Sequence, residues 1–146
     1  MIAVALPVVV GISEFSAERA LRLTEEGVAE RLLQLAFQVD DVTRGARVGD
    51  YVDAAAALAA EPDVQLGLDT LVTFYRDLAA AALGAAREEL AFRHVAEEIE
   101  ARGRSLGARR AAARVAAITS VFDGLDRNAN PRVTMDALVY QIRHAH

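Results

Sequence analysis

Apolar residues recur at Val28, Leu32, Leu35 and Val39, a 4-3-4 spacing that Leu33 and Phe37 widen. Positions three or four apart share one face of a helix, so this pattern predicts an amphipathic helix ending around Asp40-Asp41. Thr43 to Gly49 holds Gly45, Gly49, Arg44 and Arg47 and reads as a loop. A short Ala-rich helix follows, about Asp50 to Ala60, with Tyr51, Ala55 and Leu58 on one side. Glu61-Pro62-Asp63 closes it and opens the next, because Pro and acids suit a first helical turn. There Val64, Leu68, Leu71, Tyr75, Leu78 and Ala82 alternate 4-3-4-3-4 up to Gly84, the clearest helical pattern in the chain.

Arg87 to Arg102 predicts another helix, with Phe92, Val95, Ala96 and Ile99 inward and the acids outward; Gly103 and Gly107 bracket a turn. From Ala108 to about Arg127 the stripe is Ala111, Val115, Ile118, Phe122 and Leu125. Asn130-Pro131 starts the last helix, Asn as N-cap and Pro at the first helical position, with Met135, Leu138, Val139 and Ile142 as its apolar face. Upstream, Ser16 is a good N-cap for a short helix from Ala17 to about Glu25, which Gly27 punctuates. No stretch sustains period-two alternation. The prediction is an all-α bundle of about six or seven helices joined by short loops. The apolar stretch Met1 to Ile12, broken by Pro7 and Gly11, reads as an element whose packing partners lie upstream, in a longer parent or before a misplaced start.

Composition narrows the function classes. Of 146 residues, 53% are hydrophobic, with Ala the commonest, and 5% aromatic, which favours closely packed helices over a β-sandwich. All 16 basic residues are Arg, which reads as genome composition bias. A net charge of −5 argues against a protein that coats nucleic acid. With no Cys there is neither a disulfide frame nor a thiolate zinc site. The N-terminal apolar run lacks a basic start and is too short to span a bilayer, so the expectation is a soluble, cytoplasmic protein with no membrane contact.

Candidate chemistry is sparse. The segment from Leu125 to Val133, LDRNANPRV, mimics a calcium loop, with Asp126, Asn128 and Asn130 at ligand positions 1, 3 and 5. Pro131 stands where the loop needs Gly, and Ala137 where it needs a bidentate Glu, so the segment reads as a helix–turn–helix junction. His94 with Glu97 and Glu98 shares a helical face, but Ala91 replaces the Glu of a Glu-x-x-His motif, so a two-metal bundle is not specified. There is no G-x-S-x-G serine and, without Lys, no phosphate-binding loop. The expectation is a chain that is not an enzyme, with no cofactor, no metal and no catalytic residue. Arg102, Arg104, Arg109, Arg110 and Arg114 form the one basic cluster. It reads as a solvated face balancing the Glu-rich helix before it, or as a contact patch for a phosphate backbone or an acidic partner.

The helix, the motif L-x-R-N-A-N-P-R-V and the A-L-V of the final helix together resemble the C-terminus of bacterial clamp-loader subunits of DNA polymerase III, delta-prime first and gamma/tau second. Leu125, Asn128, Asn130, Pro131 and Leu138 carry the resemblance, with Val133 in place of a more usual Leu and Asp136 or Ala137 near where a Glu is common. Arg19-Ala20-Leu21-Arg22-Leu23 resembles the last helix of the lid of an AAA+ module, although SEFSAE replaces the expected Gly-rich turn. The resemblance implies that residues 1–27 are the remnant of such a lid and residues 28–146 a helical collar. It further implies that collars of several subunits assemble into the ring that loads the sliding clamp in DNA replication. Partners would then be other clamp-loader subunits, with DNA and the clamp met only through the parent complex. The alternative is a stand-alone helical adaptor or regulator without catalytic activity.

Overall fold

The computed structural model describes residues 27–45, 47–125 and 130–146. The short helix expected over Ala17–Glu25, the lid remnant apart from Gly27, and Asp126 to Ala129 of the motif lie outside the described residues. The rest is all-α: six helices and two single 3-10 turns, with no strand among the described residues. The helices are α1 (Val28–Val42), α2 (Val48–Ala59), α3 (Val64–Ala82), α4 (Ala96–Leu106), α5 (Ala108–Leu125) and α6 (Pro131–His144).

Helix α3 is the axis of the bundle, packed against α1, α4 and α5, while α6 lies on α2 and α5. Its burial explains why its sequence is apolar beyond one stripe: Leu66 to Tyr75 are buried on every side, Thr70 and Thr73 included. Inside the core each threonine hydroxyl donates to the carbonyl one turn back, Thr70 to Leu66 at 2.9 Å and Thr73 to Asp69 at 2.9 Å. Asp63 caps the helix, its carboxylate accepting from the Leu66 amide at 3.0 Å, so Pro62 and Asp63 precede the first turn in which they were expected. Phe37 of α1 meets Phe74 edge to face at 5.3 Å.

One expected helix is absent over its first half. Arg87–Glu89 and Arg93–Val95 are separate 3-10 turns, and α4 begins only at Ala96. The cause is Asp77 on α3. Its two carboxylate oxygens accept from the amides of Ala91 (3.0 Å) and Phe92 (2.8 Å), giving those backbone donors an acceptor outside any helix. Leu90 is extended and, like Phe92, fully buried, so two apolar side chains enter the core where a continuous helix would aim only one. Burial pushes the Asp77 carboxyl above its ordinary value, and the two amide hydrogen bonds pull part of that back.

Gly103 is the second correction. It does not bracket a turn but sits inside α4, whose end is marked by Gly107 in a positive-φ conformation (φ 87°). Any Cβ at Gly103 would stand 2.6 Å from the Leu78 carbonyl oxygen, so glycine here sets how closely α4 approaches α3.

Candidate functional site

The motif at the α5–α6 junction builds a helix start. The Asn130 side-chain oxygen accepts from the Arg132 amide at 3.0 Å, its carbonyl takes the Thr134 amide at 3.0 Å, and Pro131 occupies the first helical position. The residue at position 5 of the calcium-loop alignment thus spends its side-chain oxygen on a cap. Leu138 is fully buried and Leu125 packs half-buried against the same core. Asn128 lies outside the described residues.

The arginines do something the sequence reading missed. Arg102 and Arg114 turn inward and converge on one carboxylate, Asp40, in the last turn of α1. One Asp40 oxygen accepts from Tyr75 Oη (3.0 Å) and lies 3.3 Å from Arg114 Nη1. The other accepts from Arg44 Nε (2.9 Å) and Arg102 Nη1 (2.8 Å). Asp40, Tyr75 and Arg114 are each 0% exposed. Arg114 Nη1 also donates to Thr43 Oγ1 (2.7 Å) and Tyr75 Oη (2.8 Å), and its guanidinium stands 5.3 Å from the Tyr75 ring centre. Arg114 Nε and Nη2 are buried without an acceptor.

A carboxylate in the last turn of a helix opposes the macrodipole and, buried, needs cations close by. Three arginines from three different places in the chain supply them, so the hub ties α1, α3, α4 and α5 together. Arg102 spreads further, to Asp41 (2.8 Å) and Glu98 (2.8 Å), and lies over the Phe37 ring at 4.7 Å. Burial alone would lower its proton affinity; hydrogen bonds to Asp40, Asp41 and Glu98 outweigh that and hold it above the ordinary guanidinium range. Burial, and then the Asp40 charge, push the Tyr75 phenol far above its usual value, so it stays a neutral donor to Asp40.

The five-arginine cluster is therefore not one face. Arg104, Arg109 and Arg110 are exposed, Arg102 is half-buried, and Arg114 is wholly buried. The signal was present: Arg114 sits three residues after Ala111 and four before Ile118, on the buried side of α5. The buried positions are Ala111, Arg114, Ile118 and Val121, so the face is centred away from Val115 and Phe122, which are only half-buried.

His94 is half-buried, with Nε2 3.1 Å from Glu30 of α1 and Nδ1 buried without a partner. This pair docks the second 3-10 turn on α1. No group of three or more His, Asp or Glu side chains stands together as a metal site among the described residues. Among the described residues the large apolar side chains left exposed are Leu83 after α3 (80%), Val52 of α2 (43%), and Val133 and Tyr140 (64% each), seven residues apart on the outer face of α6. No helix among the described residues is long and apolar enough to cross a membrane. No family model, curated protein or solved structure matches the chain.

Proposed function

We propose that this chain is the C-terminal oligomerisation domain, or collar, of a bacterial DNA polymerase III clamp-loader subunit resembling delta-prime. In that role it helps assemble the ring that loads the sliding clamp. The observation that carries the reading is the Leu125–Val133 motif with the helix it starts. Asn130 and Pro131 set where α6 begins, its Met135, Leu138, Val139 and Ile142 face is buried against the bundle, and Val133 and Tyr140 are left outward. An apolar face beside a motif of subunit-forming proteins fits a helix that packs inward on its own core and outward on a neighbour. Catalysis forms no part of this role, because the resemblance assigns the ATP site to another part of a parent protein.

The second reading is a stand-alone helical adaptor. It is favoured by the hub, because a bundle whose buried charges are paired internally does not need a partner to complete them. Light scattering of the chain mixed with the other clamp-loader subunits separates the two. A complex with the mass of the combined subunits supports the collar. Elution of the chain at its own mass from every mixture sinks it.

A further inference from the structure

Beyond the assembly reading, and without depending on it, the geometry points to a phosphate-binding cleft where the ends of α1 and α6 meet the start of α5. We propose that the cleft lined by Thr43, Arg44, Arg110, Arg143, His144 and His146 binds a phosphate group. In a chain of net charge −5, three arginines and two histidines converge here with no acidic side chain in the lining. The cleft measures about 240 Å³, below the roughly 300–1,000 Å³ of pockets for drug-sized ligands, so it suits a small anionic group.

The three guanidiniums differ in how they are held. Arg44 is fixed by Asp40 (2.9 Å), Ser105 (2.9 Å) and the Arg102 carbonyl (3.0 Å), which leaves one hydrogen on each terminal nitrogen free to donate. Arg143 is oriented by the Tyr51 ring, 5.2 Å from its guanidinium carbon. Arg110 has no ion pair among the described residues, and it stands in the first turn of α5, where a cation opposes the helix dipole. Thr43, whose hydroxyl accepts from the buried Arg114, separates the cleft from a guanidinium with two unpartnered nitrogens. Asp40 is shared among Arg44, Arg102 and Arg114 and pairs with neither Arg110 nor Arg143. Planar guanidiniums with spare donors, two of them held in place, are suited to the oxygens of a phosphate.

The group could belong to a nucleic-acid backbone or to a small phosphate ester, and one set of titrations distinguishes them. Inorganic phosphate is titrated into the 146-residue chain by calorimetry at constant ionic strength, with a dissociation constant expected on the order of 1 mM. Arg110→Gln with Arg143→Gln should weaken it at least tenfold. Arg104→Gln with Arg109→Gln removes the same charge outside the cleft and should leave it unchanged, with circular dichroism checking that both pairs keep their helicity. A ten-nucleotide oligo-dT that binds tighter than phosphate, and loses its affinity in the first pair only, identifies the backbone. Adenosine monophosphate binding without oligo-dT binding identifies the small ester. Absence of saturable phosphate binding to 10 mM, or an equal loss in both variant pairs, overturns the proposal.

Discussion

Replacing Asp40 by Asn keeps the shape of the hub and removes its only fully buried anion. The consequences are unequal. Arg102 keeps Asp41 and Glu98, and Arg44 keeps Ser105 and the Arg102 carbonyl. Arg114 keeps only the hydroxyls of Tyr75 and Thr43, so a wholly buried guanidinium is stranded without a counter-ion. Breaking a buried pair in this way costs about 3–5 kcal/mol, a large share of the ~5–15 kcal/mol that holds a domain folded. Arg114→Met strands nothing comparable, because Asp40 still has Arg44 and Arg102; its cost should be about 1–3 kcal/mol, that of hydroxyls losing a donor. In the Asp40→Asn background, Arg114→Met removes the stranded charge. The double variant should therefore be more stable than the sum of the single losses predicts, by about 2 kcal/mol. Urea unfolding of the four proteins reads all of this. Additive losses, or Asp40→Asn costing less than Arg114→Met, would refute the hub as drawn.

Other positions give sharper local tests. Gly103→Ala should destabilise by about 1–2 kcal/mol, because the clash with the Leu78 carbonyl exceeds the gain in helix propensity. Gly67→Ala, whose nearest neighbour would lie 3.9 Å away, should instead stabilise by about 0.5–1 kcal/mol; thermal melts of both check the opposite signs. Asn130→Ala should cost about 1 kcal/mol and Asn130→Gly only a few tenths, in chemical denaturation, since the side chain caps the Arg132 amide. For Asp77 the folded carboxyl titrates above its unfolded value. Its contribution is therefore greatest below the unfolded value of about 3.9 and is lost as pH rises through the folded one. The stability advantage of the parent over Asp77→Asn should shrink from pH 4 to pH 7 in melts across that range, and an advantage growing with pH would contradict the burial argument.

How much of this was legible in the sequence depends on which interactions decide each element. Where an apolar stripe dominates, spacing comes close: α1 and α6 bury most of the residues their periodicity selects, whereas α3, with three helices around it, buries Leu66 to Tyr75 on every side and so hides more than its stripe. Spacing failed between Arg87 and Arg102 because the deciding group, Asp77, lies on another helix and offers two backbone amides a tertiary acceptor. It failed at Gly103 because a close helix crossing and a turn both call for glycine. The hub was hidden by the habit of reading Arg and Asp as surface. Asp40 and Arg114 are 74 residues apart, and neither signals the other, yet both sit at positions where the helical period points inward. The Asn130-Pro131 start of α6 was legible as a cap, while the assembly role proposed for the motif rests on resemblance alone.

That role has a direct test in the outward face of α6. Val133→Asp with Tyr140→Asp changes two exposed side chains and should leave the melting curve of the isolated chain within a few degrees of the parent. Native mass spectrometry of a stoichiometric mixture with the other clamp-loader subunits is the decisive measurement. The collar reading predicts that the parent chain enters a complex of defined stoichiometry and that the double variant is left behind as free chain. A parent chain that stays free in that mixture, under conditions where the other subunits associate, contradicts it.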